Sequence, residues 1–271
     1  MKKLMFTAAV AAGLAAFGDG IESANTVGYT TKAIAQNDYA LTAVQFETVD
    51  QQNNITNLIS TSDAGTTAWN GDDNVPGWYN SAMTLMVPNS VGGYEFYYYA
   101  VDGWDDANET EYPGWCDKFG YIQPSVTLTT GLGVWFKGSA SGNESITMSG
   151  QVLNDATTAT SVGSGYTIIA NPYPVASDIQ TVTTTASAAT AWDGDDNVPG
   201  WYNSAPTIMI PNGVGGYEFY YYATDGWDDD NETEYPGWCD KFGYIQKNIT
   251  IPVTTGIWFK NNAAATVTFT K

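Results

Sequence analysis

The 271-residue sequence contains no histidine and no arginine, and nine lysines face 29 acidic residues, for a formal net charge of −20. Without histidine the chain lacks the commonest general base and the commonest zinc ligand, and a Ser-His-Asp triad within it is impossible. Without arginine it lacks the usual bidentate clamp for phosphate groups. The acidity repels nucleic acid and anionic lipid and attracts divalent cations. Carboxylate-pair chemistry stays open, but no enzyme is expected. Cysteine is scarce too: Cys116 and Cys239 occupy equivalent places in two copies of PGWCDKFGY. They are candidates for a disulfide between repeats or subunits, or for two buried thiols.

Long apolar runs are also lacking. The longest lies in MKKLMFTAAVAAGLAAFGDG, where two lysines precede about a dozen apolar, Ala-rich residues. That run is too short for a membrane span and reads as a secretory signal over residues 1–18. The expectation is an exported protein, extracellular or at the cell surface, with no membrane span.

What the chain does contain is one segment written twice. Residues 68–123 recur as 191–246 at a constant offset of 123, with seven changes: Asn70/Asp193, Met83/Pro206, Leu85/Ile208, Val87/Ile210, Ser90/Gly213, Val101/Thr224 and Ala107/Asp230. The flanks match more loosely, as in GVWFKG (133–138) and GIWFKN (256–261). Tandem copies suit binding and structural proteins, because each presents the same surface. Thr, Val, Ile, Tyr, Phe and Trp dominate, and Gly, Asn, Asp and Pro punctuate every eight to twelve residues, the pattern of an antiparallel all-β chain. TLMVP and YEFYYYA around NSVGG read as a hairpin, and so does the second copy around NGVGG. A helical turn is expected near Ile55 and near Asp178. The fold expected is two tandem β-sandwich repeats, jelly-roll or immunoglobulin-like, over residues 39–150 and 166–271, joined by a Thr-, Ser- and Gly-rich linker at 151–165. Ahead of them lies an N-terminal arm at 19–38. In it Val27, Tyr29, Thr31 and Ala33 alternate with their neighbours as an extension strand. Such a strand pairs with its own domain or is donated to the next molecule.

The second repeat resembles a known unit. YTIIANPYPVASDI from Tyr166, AWDG from Ala191 and GYIQ followed by VTTGIWFKNNAAATVTFTK resemble a β-sandwich unit of large secreted surface proteins of environmental bacteria. There an NPYP-like corner precedes a Trp strand and a late Gly-aromatic-aromatic strand. The match covers most of 166–271 and, more weakly, 39–150, where AVQFETV replaces the corner. ANTVGYTTKAI also resembles the N-terminal arms of exported proteins from such bacteria. The resemblance implies a surface role, often adhesive or filament-forming, and no catalytic residue. It does not extend to the acidic aromatic block 68–123.

That block carries the candidate sites. Asp72, Asp73 and Asn74, matched by Asp195, Asp196 and Asn197, form one acidic cluster. Asp102, Asp105 and Asp106, matched by Asp225, Asp228 and Asp229, belong to another. Such oxygen ligands can converge on Ca²⁺, the expected cofactor. The EF-hand pattern fails, because Val198 stands where Gly is needed and Ser204 where Glu is needed. A glycosidase reading would use Asp102, Asp105, Asp106, Glu109 and Glu111 beside Trp104, but twin active sites in one small chain would be unusual. Of five N-x-S/T sequons, those at Asn108 and Asn231 carry an acidic residue at minus two and fall in acidic loops, so they are the glycosylation candidates. Trp104 and Trp227 in the same loops are the candidates for stacking on sugar. Two functions follow. One is a filament or surface-array subunit assembling with itself head-to-tail through the N-terminal strand. The alternative is a calcium-dependent tandem carbohydrate-binding adhesin acting as a monomer.

Overall fold

In a computed structural model, residues 26–271 are described; residues 1–18, read from sequence as a secretory signal, and residues 19–25 of the arm lie outside them. The chain is all-β, with helix confined to short turns. The first repeat runs β1 (Val27–Ile34), β2 (Tyr39–Ala43), β3 (Phe46–Glu47), α1 (Ile55–Leu58), β4 (Ile59–Thr61), β5 (Trp69–Asn70), β6 (Asp73–Asn74), β7 (Thr84–Pro88), β8 (Tyr94–Asp105), β9 (Thr110–Cys116), β10 (Gly133–Lys137) and β11 (Glu144–Val152). The second runs β12 (Thr157–Val162), β13 (Gly165–Ala170), β14 (Ser177–Asp178), β15 (Thr183–Thr184), β16 (Trp192–Asp193), β17 (Asp196–Asn197), β18 (Thr207–Pro211), β19 (Tyr217–Asp228), β20 (Thr233–Cys239), β21 (Thr250–Ile251), β22 (Gly256–Asn261) and β23 (Ala265–Thr270). Further 3₁₀ turns lie at Trp78–Asn80 and Trp201–Asn203, and the two expected helical turns fall at Ile55–Leu58 and, as a 3₁₀ turn, at Ile179–Thr181. Asn54 and Asp178 cap them by accepting from backbone N–H groups.

Each repeat has one sheet of five strands, ordered β2-β10-β7-β8-β9 and β13-β22-β18-β19-β20. The long aromatic strands β8 and β19 are interior, as aromatics on both faces require. A smaller sheet, β1-β11-β3 with β4 also on β11, or β12-β23-β15, completes each repeat. Side chains from both sheets meet in one core: Ile34, Phe46, Ile146 and Met148 from the smaller sheet pack with Leu85, Trp115 and Phe136 from the larger. Val267 and Phe269 likewise join Ile208, Trp238 and Phe259. Each such side chain, fully buried, contributes about 1.5–3 kcal/mol. The hairpins close as their turn residues dictate. Asn89 Oδ1 accepts from the N–H groups of Val91 and Gly93, and Gly92 takes φ +83°, a backbone that favours glycine.

One feature departs from the sequence reading. Residues 157–162, in the segment read as linker, form β12, which pairs with β23 from Thr157↔Thr270 to Val162↔Ala265. Its Thr-rich sequence resembles a tether because the strand sits at a sheet edge with alternate residues exposed. The N-terminal strand therefore has a counterpart in the second repeat. β1 itself pairs antiparallel with β11 of the same chain over eight residues, from Val27↔Gln151 to Ile34↔Glu144.

The repeats dock through reciprocal contacts. Ala43 N–H donates to Thr254 O at 3.2 Å, and its counterpart Ala170 N–H donates to Gly131 O at 2.8 Å. Gly133 lies against Ile168, and its equivalent Gly256 lies against Leu41 and Gly133 itself. Position i touches j while the copy of j touches the copy of i, which is the signature of an approximate two-fold axis. Glycine is favoured there because the facing repeat leaves no room for a side chain: a Cβ on Gly133 would sit 2.1 Å from Ile168 Cγ2 and 3.1 Å from the Ile169 carbonyl oxygen. Other contacts are not reciprocal, as where Lys32 Nζ donates to Thr255 Oγ1 at 3.2 Å. Buried Gln45 donates through Nε2 to Asn171 O and Tyr173 O, reaching into the NPYP corner of the second repeat.

Candidate functional site

The repeated block builds the same row of aromatic and acidic side chains in each copy. Trp104 in β8 pairs across the ladder with Glu111 in β9, and on its other side bridges to Tyr121. Glu111, Trp104 and Tyr121 thus stand in a row on one face of the sheet. The β5–β6 hairpin brings Trp69 edge-on to Tyr121, with ring centroids 5.8 Å apart at 82°. Asn74 holds this hairpin in place, donating through Nδ2 to Ala68 O and Phe119 O. Asp72 in the hairpin turn completes a notch of about 210 Å³ lined by Trp69, Gly71, Asp72, Trp104, Glu111 and Tyr121. In the second repeat Trp227 pairs with Glu234 and bridges to Tyr244, and Trp192 meets Tyr244 at 5.8 Å and 79°. None of the seven differences between the copies falls on a notch residue.

The expected calcium ligands do not converge. Among the described residues no group of three or more His, Cys, Asp or Glu side chains is placed to hold a metal ion. The carboxylates are dispersed because the backbone uses them. Asp102 accepts from Ala68 N–H, and Asp225 accepts from the N–H groups of Ala191 and Trp192, which fixes the start of each β5–β6-type hairpin. Asp105 is nearly buried in the β8–β9 turn. It accepts from the N–H groups of Ala107 and Asn108, the Asn108 amide and the Tyr112 hydroxyl. These bonds, the Asn108 amide foremost, hold its carboxyl below the usual range. Asp228 repeats the arrangement with Lys247 added at 2.5 Å, and that ion pair brings its pKa down to about 2. Asp106 and Asp229 accept from the indole N–H of Trp104 (2.9 Å) and Trp227 (2.7 Å). Asn74 and Asn197 spend their amides on backbone carbonyls. Asp72 and Asp195 stay exposed in two-residue turns, and Asp73 and Asp196 stay exposed at the start of β6 and β17. Calcium takes six to eight converging oxygens, and among the described residues these carboxylates do not gather into a group of three or more.

The other candidates are placed as follows. Trp104 and Trp227 are half-buried, each with its indole N–H tied down. Asn108 and Asn231 are exposed at hairpin tips, and their amide nitrogens donate to Asp105 and Asp228 at 2.8 Å. Cys116 and Cys239 are free thiols buried in two separate clusters, not a disulfide. Burial among Trp78, Ala100 and Ile122, or their copies, pushes both pKa values up to about 12, so they pack as small hydrophobes. Val27, Tyr29, Thr31 and Ala33 form the outward face of β1. Trp69, Tyr121 and their copies Trp192 and Tyr244 were not singled out from sequence; their place inside the duplicated block was the available signal. No protein-family model matches the chain, nor does any curated protein or solved structure.

Proposed function

We propose that the protein is a secreted tandem carbohydrate-binding protein that holds neutral sugars in its two notches. The observation that supports this is the row Glu111–Trp104–Tyr121 with Trp69 and Asp72, built again from identical residues in the second copy. Rigid indole and phenol rings offer apolar faces to the C–H side of a pyranose. Exposed carboxylates beside them accept hydrogen bonds from sugar hydroxyls and repel anionic sugars. The volume suits one sugar ring rather than a drug-sized ligand. Two such sites on one chain raise avidity for a repeating polymer. Calcium has no assembled ligand set among the described residues and is not part of this reading.

The test is titration calorimetry against a panel of neutral mono- and disaccharides. Trp104→Ala should remove one equivalent of notch binding, Trp227→Ala the other, and the double variant both. Unchanged stoichiometry in the double variant would overturn the proposal.

Filament assembly by exchange of β1 is the second reading. It is favoured by a specific observation: β1 pairs with β11 alone and places one fully buried apolar side chain, Ile34, in the core.

A further inference from the structure

Two larger grooves lie where the repeats meet, related by the same approximate two-fold. The first, about 700 Å³, is walled by Tyr166, Trp258, Met209 and Tyr217 of the second repeat and overhung by the Asn89–Gly93 tip of the first. The second, about 500 Å³, exchanges the roles: Tyr39, Leu41 and Trp135 of the first repeat lie beneath the 211–216 tip of the second. Trp135 and Trp258 are copies, and Tyr39 and Tyr166 hold the same register opposite Lys137 and Lys260. Tyr217 lines both grooves, so they adjoin.

We propose that this junction is a second saccharide site, separate from the notches, which binds a neutral polysaccharide chain laid across the aromatic rings of both repeats. Charge selects the ligand class. The chain carries a net charge of −20, yet no ionisable side chain other than tyrosine lines the first groove, and the second adds one lysine and one aspartate, Lys32 and Asp38, whose charges offset each other. An anionic ligand is repelled by the surrounding field, and a cationic one finds no net counter-charge in either groove. A neutral ligand fits, and the first groove's polar groups, among them Asn89, Ser90, Ser164 and Thr167, are amides and hydroxyls that can pair with sugar hydroxyls. The rings are exposed, and those of the first groove hold one another before any ligand arrives. Tyr166 is 62% and Tyr39 56% exposed. Tyr166 meets Trp258 edge-on at 6.3 Å, and the Trp258 indole N–H donates to the Tyr217 hydroxyl at 3.3 Å. Such rings stay in place without losing rotamer freedom on binding. Because the grooves adjoin, one extended chain can cover both, which a single sugar in a notch cannot do.

The test is native affinity electrophoresis of the whole protein in gels containing hydroxyethylcellulose, galactomannan or laminarin, with alginate as the anionic control. At least one neutral gel should retard the wild type, and alginate should not. Tyr39→Ala with Tyr166→Ala should weaken retardation about tenfold, the size of losing an aromatic anchor. Tyr39→Phe with Tyr166→Phe should retain it, because the ring and not the hydroxyl carries the contact. Both tyrosines are surface residues, so the alanine variant folds; an unchanged circular dichroism spectrum checks this. Equal retardation of wild type and alanine variant overturns the proposal, as does retardation by alginate alone or by no gel. The notch variant Trp104→Ala, Trp227→Ala runs alongside. Loss in that variant with none in the tyrosine variant overturns the junction site and leaves the notch reading standing.

Discussion

Asp105 and Asp228 occupy the same turn and accept the same bonds from an Asn amide and a Tyr hydroxyl, yet one residue elsewhere separates them. The first repeat has Pro124 where the second has Lys247, whose ammonium reaches Asp228 and, at 3.1 Å, Asp230. With a side chain only 1% exposed, Asp228 sits where an unpaired charge would be expensive, and the lysine supplies the pairing. Its folded pKa near 2 lies below an unfolded value of about 3.9. The stabilisation is therefore complete above roughly pH 4 and is lost as pH falls through 2. The melting temperature should fall from pH 5 to pH 2, and the fall should be shallower in Asp228→Asn. Parallel pH profiles for the two proteins would contradict this account. Asp105→Asn should flatten the profile less, since no cation backs that carboxylate.

At the scale of the element, β1 is the strand whose partner decides between a monomer and a polymer. Its inward positions are Gly28, Thr30, Lys32 and Ile34, and the ring of Phe46 would lie 2.9 Å from a Cβ at Gly28. The strand fits closely over the core but adds little apolar area to it. Thr31 and Thr147 face each other across the β1–β11 ladder with hydroxyl oxygens 3.0 Å apart. Thr31→Cys with Thr147→Cys should form a cross-link that closes 116 residues of chain and stabilises the protein by ~2–4 kcal/mol in denaturant titration. Analytical ultracentrifugation should find both the wild type and the locked protein monomeric. Polymers of the wild type that vanish on locking would instead establish strand exchange.

For the whole molecule, the junction matters most. A two-fold contact uses the same patch on both repeats and closes, whereas a head-to-tail arrangement would leave one patch free to propagate. The duplicated chain thus resembles a dimer made covalent, with two notches and two grooves related by one axis. The two junction glycines differ in what a side chain would meet. A Cβ at Gly133 would strike Ile168 Cγ2 at 2.1 Å and lie 3.1 Å from the Ile169 carbonyl oxygen, but one at Gly256 would meet the movable end of Leu41 at 2.9 Å. Gly133→Ala should cost about 1–3 kcal/mol and raise the radius of gyration in X-ray scattering as the repeats part. Gly256→Ala should cost less. Equal effects would show that the junction yields wherever it is crowded.

The sequence by itself determined the all-β class, the duplication, the NSVGG and NGVGG hairpins and the helical turns near Ile55 and Asp178. These depend on alternation and turn chemistry within a few residues, which a linear pattern displays. It did not reveal β12, since an exposed edge strand rich in Thr and Ser looks like a tether. Nor did it show what the acidic loops bond to: Asp102 and Asp105 accept from backbone N–H groups that become neighbours only when the hairpins fold. Half of the notch was legible in Asp72, Trp104 and Glu111. Trp69 and Tyr121 were not, because β5 and the 117–121 turn meet β8 only in space. The pairing of Thr31 with Thr147, the docking of Gly133 on Ile168 and the grooves above that contact belong to the tertiary structure alone. Contacts between such distant residues leave no local periodicity, and shape complementarity between two surfaces decides them.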